Sequence, residues 1–310
     1  MPAIVTITLN PALDISTTTD KVIPSTKLRC EEPRYDPGGG GINVARAVHL
    51  LGGDAFAIFP SGGGSGQMIE MLVEREGVPY ASVPVSGITR ESLAVVERQS
   101  GNQFRFLLPG PPLAEPDQRR CLEVLASNAV GAAFIVASGS LPPGVPGDFY
   151  SRTGAAARRC GVRFVLDSSG EALSRASGPI FLIKASLREL EQLRGEPIAG
   201  GLAQERAARE VVAQGRCEVL VVSLGAEGAL LATGEVCQRF TAAHVAAVST
   251  IGAGDSMLAA ILFSLVRGWP PAEAVRYGIA AGAAALLRPG TELCQRNDTD
   301  RLYEELKSRV

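Results

Sequence analysis

The stretch Ser249-Thr250-Ile251-Gly252-Ala253-Gly254-Asp255-Ser256-Met257-Leu258-Ala259-Ala260-Ile261 runs a glycine turn straight into an apolar helical pattern and sets one carboxylate in its first turn. A helix that starts this way leaves the N–H groups of Gly252, Ala253 and Gly254 free to face an anion. Asp255 can then accept a proton from a hydroxyl held beside that anion. Such an arrangement suits phosphoryl transfer to an alcohol. Asp is also an ordinary helix cap worth about 1 kcal/mol, so the reading needs support from elsewhere in the chain.

That support lies upstream, in Pro37-Gly38-Gly39-Gly40-Gly41-Ile42-Asn43-Val44-Ala45-Arg46-Ala47, which leads into a helical pattern ending at Leu51-Gly52-Gly53. Four consecutive glycines favour neither helix nor strand, and their expected use is to let a ligand lie against the main chain. Asn43 can then grip hydroxyls. The spacing is not that of a dinucleotide fingerprint, and the chain has no lysine-bearing phosphate loop.

Outward from these two motifs, short apolar runs alternate with helical patterns. Ile4–Leu9 precedes a helix over 42–51, Ala55–Phe59 one over 66–76, Ala133–Ala137 one over 148–160, and Ile180–Ile183 one over 186–193. Arg163–Leu166, Val219–Ser223 and Gly228–Thr233 add strands, 203–214 adds a helix, and helices over 253–267, 271–287 and 298–308 close the chain. This order predicts an α/β fold with a mainly parallel sheet covered on both faces. Two excursions interrupt it. Residues 12–36 are polar and Thr-rich, and Ser92–Arg98 faces Gln103–Leu108 across a Ser-Gly-Asn turn with period-two patterning. We expect them to form one small sheet standing over the site as a lid, drawn from about 12–36 and 88–109 of a single domain spanning 1–310.

The composition narrows the function classes. Apolar residues make up 46% and aromatics 5% of 310 residues, which points to an aliphatic core. A net charge of −2 offers no basic field for nucleic acid. Cysteines 30, 121, 160, 217, 237 and 294 form no metal or disulfide pattern. No stretch reads as a signal peptide or a membrane span, so the cytoplasm is the expected compartment. His49 and His244 lie in no motif and are expected to be structural.

With Thr8-Leu9-Asn10-Pro11-Ala12-Leu13-Asp14, Lys27-Leu28-Arg29-Cys30, Ser138-Gly139-Ser140-Leu141-Pro142-Pro143-Gly144, Asp167-Ser168-Ser169-Gly170 and Ser223-Leu224-Gly225 in order, the chain resembles the PfkB-type (ribokinase-like) carbohydrate kinases along essentially its whole length. The resemblance implies a ribokinase-like three-layer αβα sandwich with a small β-sheet lid that also forms a homodimer contact. Leu93, Val95, Phe104 and Phe106 are the hairpin residues expected to need such cover. It implies an ATP-dependent sugar-phosphate kinase using Mg²⁺, with Asp255 as base and Gly252, Ala253 and Gly254 as anion hole. Within the family the sequence is most similar to enzymes that phosphorylate fructose 6-phosphate at its 1-hydroxyl.

Asp14, Gly38, Gly39, Asn43 and Ser140 are then expected at the sugar, and Lys27, Arg29, Arg90 and Arg105 at its phosphate, where Arg can clamp two oxygens at once. Lys184, Ser186, Ser223, Gly225, Gly228 and Thr250 are expected at the nucleotide. Glu189 is expected to meet Mg²⁺ through water, and the carbonyls of Ser249, Ile251, Ala285 and Gly290 to offer a K⁺ site. Two places depart from the family pattern. Lys184-Ala185-Ser186-Leu187-Arg188-Glu189 stands for Lys-Pro-Asn-x-x-Glu, which predicts altered Mg²⁺ handling, and Arg288-Pro289-Gly290-Thr291-Glu292 carries different side chains in the cation loop. 1-Phosphofructokinases usually carry Lys where Gly40 stands here, which favours the 6-phosphate substrate over 1-phosphofructokinase or tagatose-6-phosphate kinase activity. A weakly catalytic sugar-phosphate or nucleotide sensor is the alternative of another class, and the intact Gly252–Asp255 turn speaks against it.

Overall fold

The computed structural model describes residues 1–308. Its first half contains β1 (Ile4–Ile7), β2 (Ala12–Thr19), β3 (Arg34–Gly38), α1 (Gly40–Leu50), β4 (Ala55–Ser61), α2 (Gly63–Arg75), β5 (Tyr80–Pro84), β6 (Arg90–Glu97), β7 (Gln103–Leu107), α3 (Glu115–Asn128) and β8 (Phe134–Ser138). Next come α4 (Phe149–Arg159), β9 (Arg163–Asp167), α5 (Gly170–Ser174), β10 (Leu182–Ser186), α6 (Leu187–Arg194), α7 (Gly201–Ala213), β11 (Val219–Ser223), β12 (Ala229–Thr233) and β13 (Cys237–Phe240). Helices α8 (Ala253–Val266), α9 (Pro271–Leu286) and α10 (Arg296–Lys307) complete it.

Nine strands form one sheet in the order β13-β12-β11-β10-β9-β8-β1-β4-β5, parallel except where β12 pairs antiparallel with β11 and β13. Successive side chains along a strand point to opposite faces, so Ile4, Phe134 and Val136 join one core cluster while Val5, Ile7 and Ile135 join the other. Both faces are covered, which is why these strands read as unbroken apolar runs. The first cluster packs against α1, α8 and α9, the second against α3, α4 and α7. Helix α8 is apolar almost all round, with nine buried residues, and lies between α1 and α9. Truncating a fully buried side chain such as Leu262 to Ala would cost about 2–5 kcal/mol.

The second sheet has the order β3-β2-β6-β7 and joins both predicted excursions, with β2 parallel to β6 and the hairpin β6–β7 antiparallel. Its period-two pattern sorts the residues by face. Ala12, Asp14, Arg90, Ser92, Arg105 and Leu107 all look onto one cleft. On the opposite face Tyr35, Ile15, Leu93 and Phe106 are register partners in a row across the four strands. Of the four hairpin residues expected to be bare, Leu93 and Phe106 are exposed but Val95 is buried and Phe104 half-buried. No described helix is long and apolar enough to cross a membrane. Strands β5 and β13 and helices α3 and α5 were not read from sequence: they are short or, like α3, lack a strongly apolar stripe.

Candidate active site

Two cavities meet at the N-terminus of α8. The first, about 330 Å³, opens at the carboxyl ends of the parallel strands beneath the small sheet. The second, about 480 Å³, lies behind α8 and is walled by small and apolar residues such as Gly225, Gly228, Val245, Met257, Ile279 and Gly282. Thr250 lines both. Gly252 and Asp255 face the first cavity, whereas Ala253 and Gly254 face the second. The wall between them is therefore the Gly252–Asp255 turn itself.

Gly252 holds that turn in the left-handed region at φ 76°, and α8 has no side-chain cap, which leaves its first N–H groups to a ligand. Asp255 Oδ2 accepts from Asn43 Nδ2 at 2.9 Å. Burial raises the Asp255 pKa, while the Asn43 hydrogen bond, Lys184 and Arg46 oppose it. The net shift makes the carboxylate a stronger base.

The glycine loop does more than admit a ligand. Gly39 and Gly40 line the cleft, but Gly38 and Gly41 do not. A Cβ at Gly38 would sit 2.3 Å from Asp14 Oδ2, and one at Gly41 2.5 Å from Thr8 Oγ1. Thr8 Oγ1 accepts from Ile42 N at 2.9 Å and so satisfies one orphan amide of α1. Half of this loop is thus close packing of α1 on the strand ends, and Gly38 lies behind Asp14 rather than on the cleft.

Asp14 is pushed up to about 6, mainly by burial, against the pull of Arg90 and Arg105. Arg90 makes only long bonds, 3.2–3.4 Å, to Asn10 O, Ser92 Oγ and Leu108 O, so its guanidinium has capacity for a stronger acceptor. Burial lowers its pKa, and Asp14 works the other way. Ser140 lies at the rim, where its Oγ accepts from Asn10 Nδ2. Lys27 and Arg29, by contrast, lie outside the cleft on an exposed loop. Thr19 Oγ1 donates to Arg29 O, and Thr18 O accepts from Glu31 N, which pins that loop to the far end of β2. Thr19 lies five positions along β2 from Asp14, and a strand rises about 3.3 Å per residue.

Lys184, nearly buried, lies 3.3 Å from both Asp167 oxygens. Its ammonium also occupies the space a Cβ at Gly254 would need, 2.8 Å from that point, which sets it against the start of α8. Burial opposes its charge, but Asp167, Asp255 and Glu189 outweigh it and raise the Lys184 pKa. Asp167 is itself pushed up to about 6 by burial, with Lys184 opposing. Sequence reasoning assigned Asp167 no role, although a carboxylate closing the apolar run 164–166 at a parallel strand's carboxyl end is the signal it carries.

Ser186 does not face either cavity. Its Oγ accepts from Glu189 N while its own N–H donates to Glu189 Oε2 at 2.6 Å, a reciprocal capping box that starts α6. Glu189 keeps its place on the cleft wall. Ser223, Gly225 and Gly228 line the second cavity. So does His244, which no sequence feature singled out; His49 ends α1 away from both cavities. The predicted cation positions converge. Gly290 O accepts from Ser249 Oγ at 2.8 Å, and Leu286 O accepts from Val248 N at 2.7 Å, so 285–290 runs beside 248–251. Ala285 O and Gly290 O already accept one bond each, from Arg288 N and Ser249 Oγ, and a carbonyl has two lone pairs.

A paired-cavity kinase site on a ribokinase-like sandwich defines the class, and the sequence agrees: the model of the pfkB family carbohydrate kinases matches residues 5–298, and the chain belongs to that family. It is 50% identical, over 98% of its own length and 89% of the relative's, to ATP-dependent 6-phosphofructokinase isozyme 2 of Mycobacterium tuberculosis (strain ATCC 25618 / H37Rv). Identity to the Escherichia coli (strain K12) protein of that name is 44% over 99% of both chains. The crystal structure of phosphofructokinase-2 from Escherichia coli in complex with fructose-6-phosphate superposes with a TM-score of 0.93 at 43% identity, covering 99% of this chain and 100% of that one.

Proposed function

We propose that this chain is an ATP-dependent 6-phosphofructokinase that converts fructose 6-phosphate to fructose 1,6-bisphosphate. The observation that carries this is the Gly252–Asp255 turn standing between a cleft with arginines and a chamber of small apolar residues. One cavity suits a phosphorylated sugar and the other an adenosine. Asp14 and Asn43 grip sugar hydroxyls, Gly39 lets the sugar lie on the main chain, Ser140 closes the rim, and Arg90 and Arg105 hold the 6-phosphate. Asp255 takes the proton of the 1-hydroxyl as it attacks. The N–H groups of Gly252, Ala253 and Gly254 meet the charge on the phosphoryl group in flight, and Lys184 adds a fixed positive charge beside them. The small sheet, acting as a lid on one domain, keeps water out.

No trio of His, Cys, Asp or Glu among the described residues converges on a metal. Asp167 and Glu189 both line the cleft, which fits Mg²⁺ carried in on the nucleotide phosphates and met by these carboxylates through water. Bound there, Mg²⁺ would neutralise phosphate charge. K⁺ on the carbonyls of Ser249, Ile251, Ala285 and Gly290 is the accompanying proposal, supported by the convergence of those segments. The exposed row Tyr35, Leu93 and Phe106, with half-buried Ile15, supports a homodimer through the small sheet. Lys27 and Arg29 drop out of this chain's own phosphate clamp. A cytoplasmic setting accords with all of this.

A coupled assay across fructose 6-phosphate, fructose 1-phosphate and tagatose 6-phosphate at fixed ATP tests the reading. We expect kcat/KM for fructose 6-phosphate to lead by at least about tenfold. A lead for either other sugar would change the substrate, and turnover with none would favour a sensor.

A further inference from the structure

Behind Asp255 lies a side chain that neither cavity exposes. Arg46, on the first turns of α1, is 3% exposed. Its Nε and Nη2 donate to the two carboxylate oxygens of Glu76, each at 2.7 Å, at the C-terminal end of α2. Its Nη1 donates to Pro37 O at 2.9 Å and to Asn43 Oδ1 at 3.1 Å. The other end of the Asn43 amide donates to Asp255 Oδ2. An unbroken chain of contacts thus runs from Glu76 through Arg46 and Asn43 to the carboxylate.

The donor and acceptor inventory makes this chain directional. A guanidinium only donates, so the amide atom facing Arg46 must be oxygen. An ionised carboxylate only accepts, so the atom facing Asp255 must be nitrogen. Both ends select the same amide orientation. Turned over, the amide would set N–H against guanidinium and oxygen against carboxylate, with both contacts repulsive. Arg46 also grips Pro37 O, so one guanidinium fixes the start of the glycine loop and the amide that follows it.

We infer that Arg46 is a positioning residue for phosphoryl transfer: anchored by Glu76, it locks the Asn43 amide in the orientation that aims and holds Asp255. This rests on Asp255 being the base. The other charged groups around Asp255 are Lys184 on β10 and Asp167 on β9, with Glu189 on α6 beside them. On α9, Glu273 and Arg276 pair with each other near the end of α8 where Phe263 stacks on Tyr277, away from Asp255. None of these can replace the contact to Asn43 Oδ1.

The test measures kcat and both KM values for Arg46→Lys and Arg46→Met, alone and in an Asn43→Ala background. Lysine keeps the charge beside Glu76, yet one ammonium cannot serve two carboxylate oxygens, a carbonyl and an amide at once. We expect kcat to fall by roughly tenfold in Arg46→Lys and further in Arg46→Met, with the KM for ATP within about twofold, since misplacement of a catalytic group acts on the transition state. With Asn43→Ala already present, Arg46→Lys should lower kcat by less than about twofold, because no amide remains to be oriented. If Arg46→Met does not fold, the lysine variant decides. An unchanged kcat with a lowered melting temperature overturns the inference, as does a loss that multiplies fully with that of Asn43→Ala. If Asp255→Asn keeps its turnover, the reading of the base has failed instead, and the two failures are distinguishable.

Discussion

The cleft beneath the small sheet and the chamber behind α8 share a wall, yet Asp14, Arg90, Arg105, Lys184 and Asp167 line the first, and Gly225, Gly228, Val245, Met257 and Gly282 the second. The first is marked by a few charged groups held by register: period two on β2, β6 and β7 turns Asp14, Arg90 and Arg105 inward together. The second is marked by open volume and small side chains. The first should respond to changes of charge, and the second to changes of size. Only the turn between them should govern the chemical step without governing the affinity of either site.

The largest effect is expected at the shared wall. Asp255→Asn keeps the shape but removes the proposed base, and its kcat should fall 10²–10⁴-fold, as general-base assistance is typically worth. Steady-state turnover above about a third of wild type would rule Asp255 out. Arg90→Ala, on the charged side, should raise KM for fructose 6-phosphate by about 10–150-fold, since a charged hydrogen bond contributes roughly 1.5–3 kcal/mol. Its KM for ATP should stay within about twofold; equal shifts in the two would mean that the phosphate lies elsewhere.

On the apolar side Ala283→Leu fills part of the chamber, and overpacking at about 1–3 kcal/mol should raise KM for ATP by roughly tenfold while sparing the sugar phosphate. Asp14→Asn turns the comparison towards stability. A carboxylate raised from 3.8 to about 6 in the fold destabilises it above that pH, and the penalty fades as pH falls through 6 towards 4. The variant should therefore gain on the order of 2 kcal/mol at pH 7 and little at pH 4 by denaturant unfolding, while its sugar affinity drops. A gain that grows on acidification would have the wrong sign. Ser186→Ala should do least, lowering stability by about 1 kcal/mol through the lost α6 cap with no change in the Mg²⁺ needed for half-maximal activity. A clear shift in that Mg²⁺ requirement would restore a metal role to Ser186.

The same contrast explains what was legible in the sequence. Asp255, Asn43, Asp14 and Arg90 could be nominated from sequence because each sits beside a glycine turn or on an alternating strand, and all four line one cleft. The central sheet was legible for a related reason, since strands buried on both faces leave unbroken apolar runs. Lys27 and Arg29 lie outside this cleft because the Thr19 hydroxyl and the Thr18 carbonyl tie their loop to the far end of β2, which composition cannot foretell. For Ser186 the sequence is ambiguous, since Ser-x-x-Glu is both a family-motif position and a capping box, and the fold forms the cap. Arg46 lies in the glycine motif, yet nothing in a sequence tells a buried guanidinium such as this one from a solvated one. Much of the apolar chamber, His244 included, escaped notice because its walls are ordinary core residues that happen to leave space.

The claim that one turn divides two independent substrate sites can be measured directly on Asp255→Asn, whose slow turnover lets both ligands be present together. Calorimetric titration of this variant with fructose 6-phosphate, with and without saturating Mg·ATP, should give one sugar phosphate per chain in both cases, with affinities within about fivefold of each other. Mutual exclusion of the two ligands would contradict the account, because the cleft and the chamber would then be one site.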